Sequence, residues 1–384
     1  MKITSVIAEF NPLHLSHEYI IKKADKSSDL TAVILGGNFM QRGEVAITDC
    51  YSRARCAVEC GADIVFLLPY AFSAQTAEIF AWGGVMIADI IGSSSLVFGS
   101  EDDGLPFYDA AKLLYEEPAE YRSILREGLD SGMSFASSRE NAVRQILGEE
   151  AAGCLRGANN ILSTEYTRAI IKRKSGIVPK SIKRISVNPS ASVLRKLISE
   201  GNTDKVMHHL PECSREIITD TQALRFSEEF RDILFYHLLT TSEEHLGRIA
   251  EVESGLERRM IKNKYLLRDS IEAFSEEVSG KRYTKSRIRR ILYNSLMGYT
   301  SSHLKNAKEH SLSSVIALAA NGKGREFIKS KNGDGEVKII SNLSKEYSSL
   351  GKDRWIYDME LRAYEIYHRR EDMSLLKRHT IVTD

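Results

Sequence analysis

The sequence predicts an α/β fold: a doubly wound parallel sheet in the first half, joined to a mostly helical, basic C-terminal region. Three observations carry this expectation. Apolar runs closed by turn residues recur through the first hundred positions, helical patterns separate them, and positive charge gathers in the second half. Strands that are apolar throughout, rather than alternating, belong to a parallel sheet covered on both faces.

Ile3 to Ala8 forms the first strand-like run, and Pro12 prevents a helix from continuing directly out of it. A helix then starts near His14 and runs through Ile20, Ile21 and Ala24. Thr31 to Leu35 ends in Gly36-Gly37-Asn38, Asp63 to Leu68 ends in Pro69, and Ser95 to Phe98 ends in Gly99-Ser100, with helical patterns at about 48–60 and 74–91 between them. A helical insertion over about 107–175 follows. A fifth strand, Ser181 to Val187, leads into Asn188-Pro189-Ser190-Ala191-Ser192, where Ser190 or Ser192 caps a helix carrying Arg195. From about 205 to 310 the pattern is helical, and residues 310–384 mix short apolar runs such as Val337 to Ile340 with glycine-rich turns. The chain thus divides into residues 1–200, an α/β domain, and residues 201–384, a helical basic region.

Asn11-Pro12-Leu13-His14-Leu15-Ser16-His17 places two imidazoles three residues apart, just after the first strand. That spacing puts both rings on one helical face, at a helix start whose unpaired N–H groups favour phosphate. A bare pair of this kind also fits a capping or surface pair, or half of a metal site. Its position favours polyphosphate, because ligands of open α/β sheets bind outside the carboxyl ends of the strands. Asn38, Gln41 and Arg42 follow the second strand and stand where they could contact substrate or form an ordinary turn.

At 384 residues the chain has room for two or three domains, and 42% apolar content supplies a core. No run reaches the ~18 consecutive apolar residues of a membrane span. The chain enters its first strand directly, without a charged-then-apolar leader, so a cytoplasmic protein is expected. Cys50, Cys56, Cys60, Cys154 and Cys213 are odd in number and lack paired C-x-x-C spacing, which fits neither a disulfide framework nor a zinc site.

The net charge of +1 conceals segregation: residues 1–150 carry 12 Lys and Arg against 22 Asp and Glu, and the remainder 41 against 30. The densest basic stretch runs from Lys281 to Arg290, with Lys281, Arg282, Lys285, Arg287, Arg289 and Arg290 and no acid. Thr284 can cap a helix whose Ile288, Ile291, Leu292 and Leu296 face inward, leaving the cations outside as a rail for a phosphate backbone. A solvated helix face is the ordinary alternative. Charge alone does not distinguish RNA from DNA.

These residues resemble a known family. The strand followed by His14-Leu15-Ser16-His17, with the late Ser190-Ala191-Ser192 and Arg195, is similar to the HIGH-type nucleotidyltransferase superfamily. The finer resemblance is to the bacterial tRNA(Met) cytidine acetate ligases. It is carried by Ala8-Glu9-Phe10-Asn11-Pro12-Leu13-His14, Gly37-Asn38-Phe39-Met40-Gln41-Arg42-Gly43-Glu44, Phe98-Gly99-Ser100-Glu101, Asn159-Asn160-Ile161-Leu162, Ile182-Lys183-Arg184 and Ser190-Ala191-Ser192. The family has Gly where this chain has Ser16, and Tyr and Phe where it has Phe10 and Leu13. Glycine without a Cβ lets backbone approach phosphate, so Ser16 is the departure that bears on nucleotide binding.

The resemblance implies a Rossmann-like domain that binds ATP, with Mg²⁺ expected beside it and acetate, not acetyl-CoA, as acyl donor. It implies His14 and His17 as catalytic residues. As ATP-binding residues it implies Ile7, Ala8, Glu9, Phe10, Asn11, Pro12, Leu13, His14, Leu15, Ser16, His17, Glu18, Tyr19 and Ile20, with Gly99, Asn159, Arg184, Ser192 and Arg195. The expected product is elongator tRNA(Met) acetylated on N4 of its wobble cytidine, C34, and the basic cluster becomes the tRNA contact. Two other readings stay open at this point: adenylyl transfer to a small cofactor precursor, and an RNA-binding protein without catalysis.

Overall fold

A computed structural model of the chain describes residues 1–26, 28–102, 104–184, 189–335 and 337–383, apart from the side chain of Asp334. The strands are β1 (Ile3–Ala8), β2 (Leu30–Gly36), β3 (Ile64–Leu68), β4 (Ser95–Ser100), β5 (Val178–Lys183), β6 (Ser314–Ala320), β7 (Lys338–Ile340) and β8 (Ile381–Val382). They form one sheet in the order β5-β4-β1-β2-β3-β6-β7, with β8 beside β6. The first five strands are parallel, in registers such as Ile3↔Leu30, Ala32↔Ile64 and Ser95↔Val178. The chain winds outward from β1 in one direction through β2 and β3, then in the other through β4 and β5. The topological switch therefore lies between β1 and β4, where α/β sheets open a crevice.

Helices α1 (Leu15–Asp25), α2 (Cys50–Glu59), α3 (Ala77–Ile90) and α4 (Ala158–Arg173) cover the two faces. Val6, Val33, Val65 and Val97 pack with Ile21, Ala24, Ala54 and Ala57 of α1 and α2. Ile3, Ile7, Ile34, Phe66 and Leu96 pack on the other face with Phe80, Val85 and Met86 of α3 and Tyr166 of α4. Successive strand residues point to opposite faces, so a strand apolar at every position is one covered twice. The insertion is helical, at Phe107–Glu116, Ala119–Asp130, Phe135–Leu147 and Glu149–Gly153 before α4.

Two findings differ from the sequence-based expectation. The fifth strand spans Val178–Lys183 rather than Ser181 to Val187, and residues 185–188 lie outside those described. Val178-Pro179-Lys180 carries no apolar run because β5 is an edge strand, half exposed, where a proline costs no ladder bond. The sheet also continues beyond residue 200. β6, buried along its whole length, pairs antiparallel with β3 through Ile64↔Ala320 and carries β7 and β8. After β6 a helix spans Gly322–Asp334, with the Asn321 side chain as its cap.

Candidate active site

At the carboxyl end of β1 the chain leaves the sheet through Glu9, Phe10 (φ +50°) and Asn11, and α1 begins at Leu15 with His14 as its cap residue. Arg53 of α2, buried, fixes this exit by donating to the carbonyls of Glu9, Gly36, Gly37 and Thr48. One guanidinium thereby satisfies carbonyls at the ends of both β1 and β2. The Asn11 Oδ1 accepts from the Ile47 N–H at 2.9 Å, and Glu9 Oε1 from the Gln41 N–H at 2.6 Å, tying the β1 exit to the loop after β2.

The resulting cleft has two lobes. An inner lobe of about 180 Å³ lies at the β1/β4 switch between Ile7, Ala8, Phe80, Phe98, Leu162 and Tyr166. An outer lobe of about 570 Å³ is lined by both histidines, by Met40, Gln41, Arg42 and Glu44, by Ser190 and Ser192, and by Thr284 and Ser286. Glu9, Asn11, His17, Asn159, Arg184 and Arg195 belong to both.

His14 and His17 stack, with ring centroids 3.8 Å apart and 22° between planes. The His17 Nδ1 accepts from the His14 backbone N–H at 3.4 Å, which places the proton of the neutral ring on Nε2. His14 is buried, and neither of its ring nitrogens has a hydrogen-bond partner among the described residues. Its pKa is pushed down to about 4, first by burial and then by the Arg184 guanidinium. Burial, His14 and Arg184 hold His17 well below the usual histidine range. Both rings are therefore neutral at pH 7, each with one N–H to give.

Arg184 extends the β5–β4 ladder by donating its N–H to the Ser100 carbonyl at 2.9 Å. A Cβ on Gly99 would meet the Arg184 side chain at 2.8 Å, so glycine there makes room for the guanidinium's path to the cleft. Arg195 stands on α5 (Ala191–Ser199) and donates to the Asn11 carbonyl at 2.9 Å and to Glu44 at 2.5 Å. Ser190 and Ser192 share a hydrogen bond at 2.9 Å at the start of that helix. Asn159 donates to Glu101 at 3.3 Å.

Of the residues expected at the nucleotide, the cleft brings together Ile7, Ala8, Glu9, Phe10, Asn11, His14, His17, Ile20, Gly99, Asn159, Arg184, Ser192 and Arg195. Pro12, Leu13, Leu15, Ser16, Glu18 and Tyr19 are not on its wall. Ser16 is buried in the first turn of α1, and Glu18 pairs with Lys22 at 2.6 Å. Phe80 and Tyr166 of the inner lobe carry no sequence signal of their own, since buried aromatics on helices read as core. Asn38 is structural: its side chain accepts from the Cys50 N–H at 2.8 Å.

The basic segment forms α6 (Lys285–Met297), capped by Thr284 as expected, with Ile288, Ile291 and Leu292 buried. The expected outward rail is corrected by the ion pairs. Arg290 is buried and grips Glu251 through two bonds of 2.7 and 2.6 Å. Arg289 reaches Glu44 and Glu272, Arg287 reaches Glu253 at 2.8 Å, Lys285 reaches Glu272 and Glu276, and Arg282 lies 3.8 Å from Glu253. The segment has no acid in sequence because its acids come from elsewhere in the chain. Lys281 and Arg282 are exposed. Gly43 (φ +69°) sits so close to α6 that a Cβ would lie 2.6 Å from Arg289 Cβ, which packs the β2 loop between nucleotide cleft and basic helix.

A parallel sheet with a two-lobed cleft at its switch point, and a neutral histidine pair at the first helix start, defines a nucleotidyltransferase of the HIGH type. The family described as HIGH Nucleotidyl Transferase matches residues 1–379. A tRNA(Met) cytidine acetate ligase of Clostridium acetobutylicum is 32% identical over 90% of this chain and 91% of its own, and one of Thermoanaerobacter sp. is 33% identical over 96% and 95%. Thermotoga maritima TmcAL bound with alpha-thio ATP superposes with a TM-score of 0.92 at 28% identity, covering all of both chains. The chain belongs to the tRNA(Met) cytidine acetate ligase family of the HIGH nucleotidyltransferases.

Proposed function

We propose that this protein activates acetate with ATP and transfers the acetyl group to N4 of the wobble cytidine, C34, of elongator tRNA(Met). The observation that carries the reading is a shared wall: Thr284 and Ser286, at the start of the basic helix, line the same cleft as His14, His17 and Arg195. A small-molecule nucleotidyltransferase would need no such contribution from the second half. A non-catalytic reading rested on Ser16, which lies off the cleft wall. The relatives carry the name of this activity across nearly the whole chain.

The chemistry follows from the geometry. Acetate oxygen attacks the α-phosphorus of ATP and pyrophosphate leaves, so negative charge builds on the phosphate oxygens. The single N–H of the neutral His14 ring and the Nε2–H of His17 supply donors already in place, and Arg184, Arg195 and Ser192 hold the remaining phosphates. Such preorganised donors are worth about 10²–10³ in rate each.

Mg²⁺ is not matched by a protein site. Glu9 is engaged by the Gln41 N–H and Glu44 by Arg195, and among the described residues no group of three His, Cys, Asp or Glu side chains could hold a metal ion. The ion would travel with the triphosphate oxygens, and no step above runs through it. No helix among the described residues is long and apolar enough to cross a membrane. The five cysteines are free and buried, in keeping with a cytoplasmic setting, which is part of the proposal.

The test is label transfer. With ATP and radiolabelled acetate, elongator tRNA(Met) should acquire label in N4-acetylcytidine, and acetyl-CoA should not replace acetate plus ATP. Label transfer from acetyl-CoA alone, or none to tRNA, would contradict the reading.

A further inference from the structure

Beside the outer lobe lies a second cavity of about 470 Å³, and the two share Glu44, Ser192 and Arg195 as a common wall. Arg195 and Ser192, assigned above to the phosphates, line the outer lobe on one side. On the other, Glu44 lines the second cavity with Arg289, Phe226 and Ser227. Resting on the function proposed above, we infer that this second cavity receives the base of the target cytidine, with Glu44 as the acceptor for its N4 amino group.

The cavity and the base have complementary edges. Cytosine presents an amino donor at N4 beside acceptors at N3 and O2, and a carboxylate accepting from N4 is a standard means of reading it. Glu44 Oε2 is taken by Arg195 at 2.5 Å, but among the described residues Oε1 has only a long contact, 3.5 Å, to Arg289 Nη1. Oε1 thus has lone pairs to give, and the Arg289 guanidinium beside it donates to N3 or O2. The half-buried Phe226 offers the ring face on which a splayed-out base stacks. The cavity's other carboxylates are already engaged: Glu272 by Arg289 and Lys285, and Glu228 by the Ile271 N–H at 3.0 Å.

The placement also completes the transfer. The N4 lone pair attacks the acetyl carbonyl carbon, the new C–N bond forms as the bond from that carbon to the adenylate oxygen breaks, and AMP leaves with the electron pair. The N4 proton passes to Glu44. Uracil, with an oxygen at position 4, would turn a lone pair towards the Glu44 carboxylate and be refused.

Binding of synthetic anticodon stem-loops bearing C34 or U34 to the full-length protein tests this, with acetate-dependent ATP–pyrophosphate exchange followed in parallel. The unaltered protein should prefer C34 by about 10-fold, as one base contact of this type gives. Glu44→Gln should bring the preference close to unity and abolish acetyl transfer. Phe226→Leu should weaken both loops about 10-fold, as loss of one stacked base does, and leave exchange at its normal rate. A C34 preference retained in Glu44→Gln, or both loops bound normally by Phe226→Leu, would overturn the inference while the functional reading stands. If Glu44→Gln loses its fold, Phe226→Leu decides alone. Absence of acetate-dependent exchange in the unaltered protein would instead remove the functional reading, and this inference with it.

Discussion

The rings of His14 and His17 lie 3.8 Å apart, and the His14 backbone N–H donates to His17 Nδ1, so one histidine orients the other. Two imidazoles this close cannot both carry protons cheaply in a buried site, and burial holds both neutral.

Neutrality has a consequence for stability. With a folded pKa of about 4 against about 6.5 unfolded, His14 binds more protons in the unfolded chain between those values. Stability from this residue is whole above pH 6.5 and declines as pH falls towards 4, by something of order 3 kcal/mol. Denaturant unfolding of the unaltered protein and His14→Asn across pH 4–7 should show the difference between them shrinking towards acid. A constant difference would mean His14 does not titrate as described.

Arg290 and Lys281 should behave oppositely despite lying in one basic stretch. Removing Arg290 leaves the largely covered Glu251 carboxylate without its partner, a loss of about 3 kcal/mol, so Arg290→Ala should unfold at markedly lower denaturant. Lys281→Glu with Arg282→Glu should leave the unfolding midpoint unchanged, weaken tRNA binding and flatten the slope of log affinity against log salt by about 1–2. An unchanged salt slope would assign those cations to solvent.

Ser16→Gly restores the family's residue, yet Ser16 sits in a helical turn, buried and off the cleft wall. The change should cost about 0.5–1 kcal/mol of stability through backbone entropy and leave ATP affinity within a factor of two or so. Markedly tighter ATP binding by the glycine variant would show that the Cβ does obstruct the phosphates.

Strands β1 to β4 were legible because each is an apolar run stopped by Gly, Asn or Pro, a local signal. β6 was not placed: Ser314–Ala320 is just as apolar, but its antiparallel partner β3 lies some 250 residues earlier, and nothing local encodes that pairing. His14 and His17 stand out by their spacing after the first strand and Arg195 by its place after the late helix start, whereas Arg184 is named through the family resemblance alone. Arg290's partner could not, since Glu251 stands 39 residues away, and a stretch without acids in sequence is surrounded by them in space. Acids on the elements before α6, at Glu251, Glu253, Glu272 and Glu276, were the available warning. Glu44 was quoted within a motif, but its bridging place between Arg195 and Arg289 depends on the tight approach of Gly43 to α6.

The central claim is that the histidine cleft activates a carboxylate with ATP, and acetate-dependent ATP–pyrophosphate exchange without tRNA measures that step alone. Exchange should require acetate and fall at least about 10²-fold in His17→Ala, the cost of one preorganised donor, while tRNA binding is unchanged. Exchange that ignores acetate, or that proceeds at the unaltered rate in His17→Ala, would contradict it.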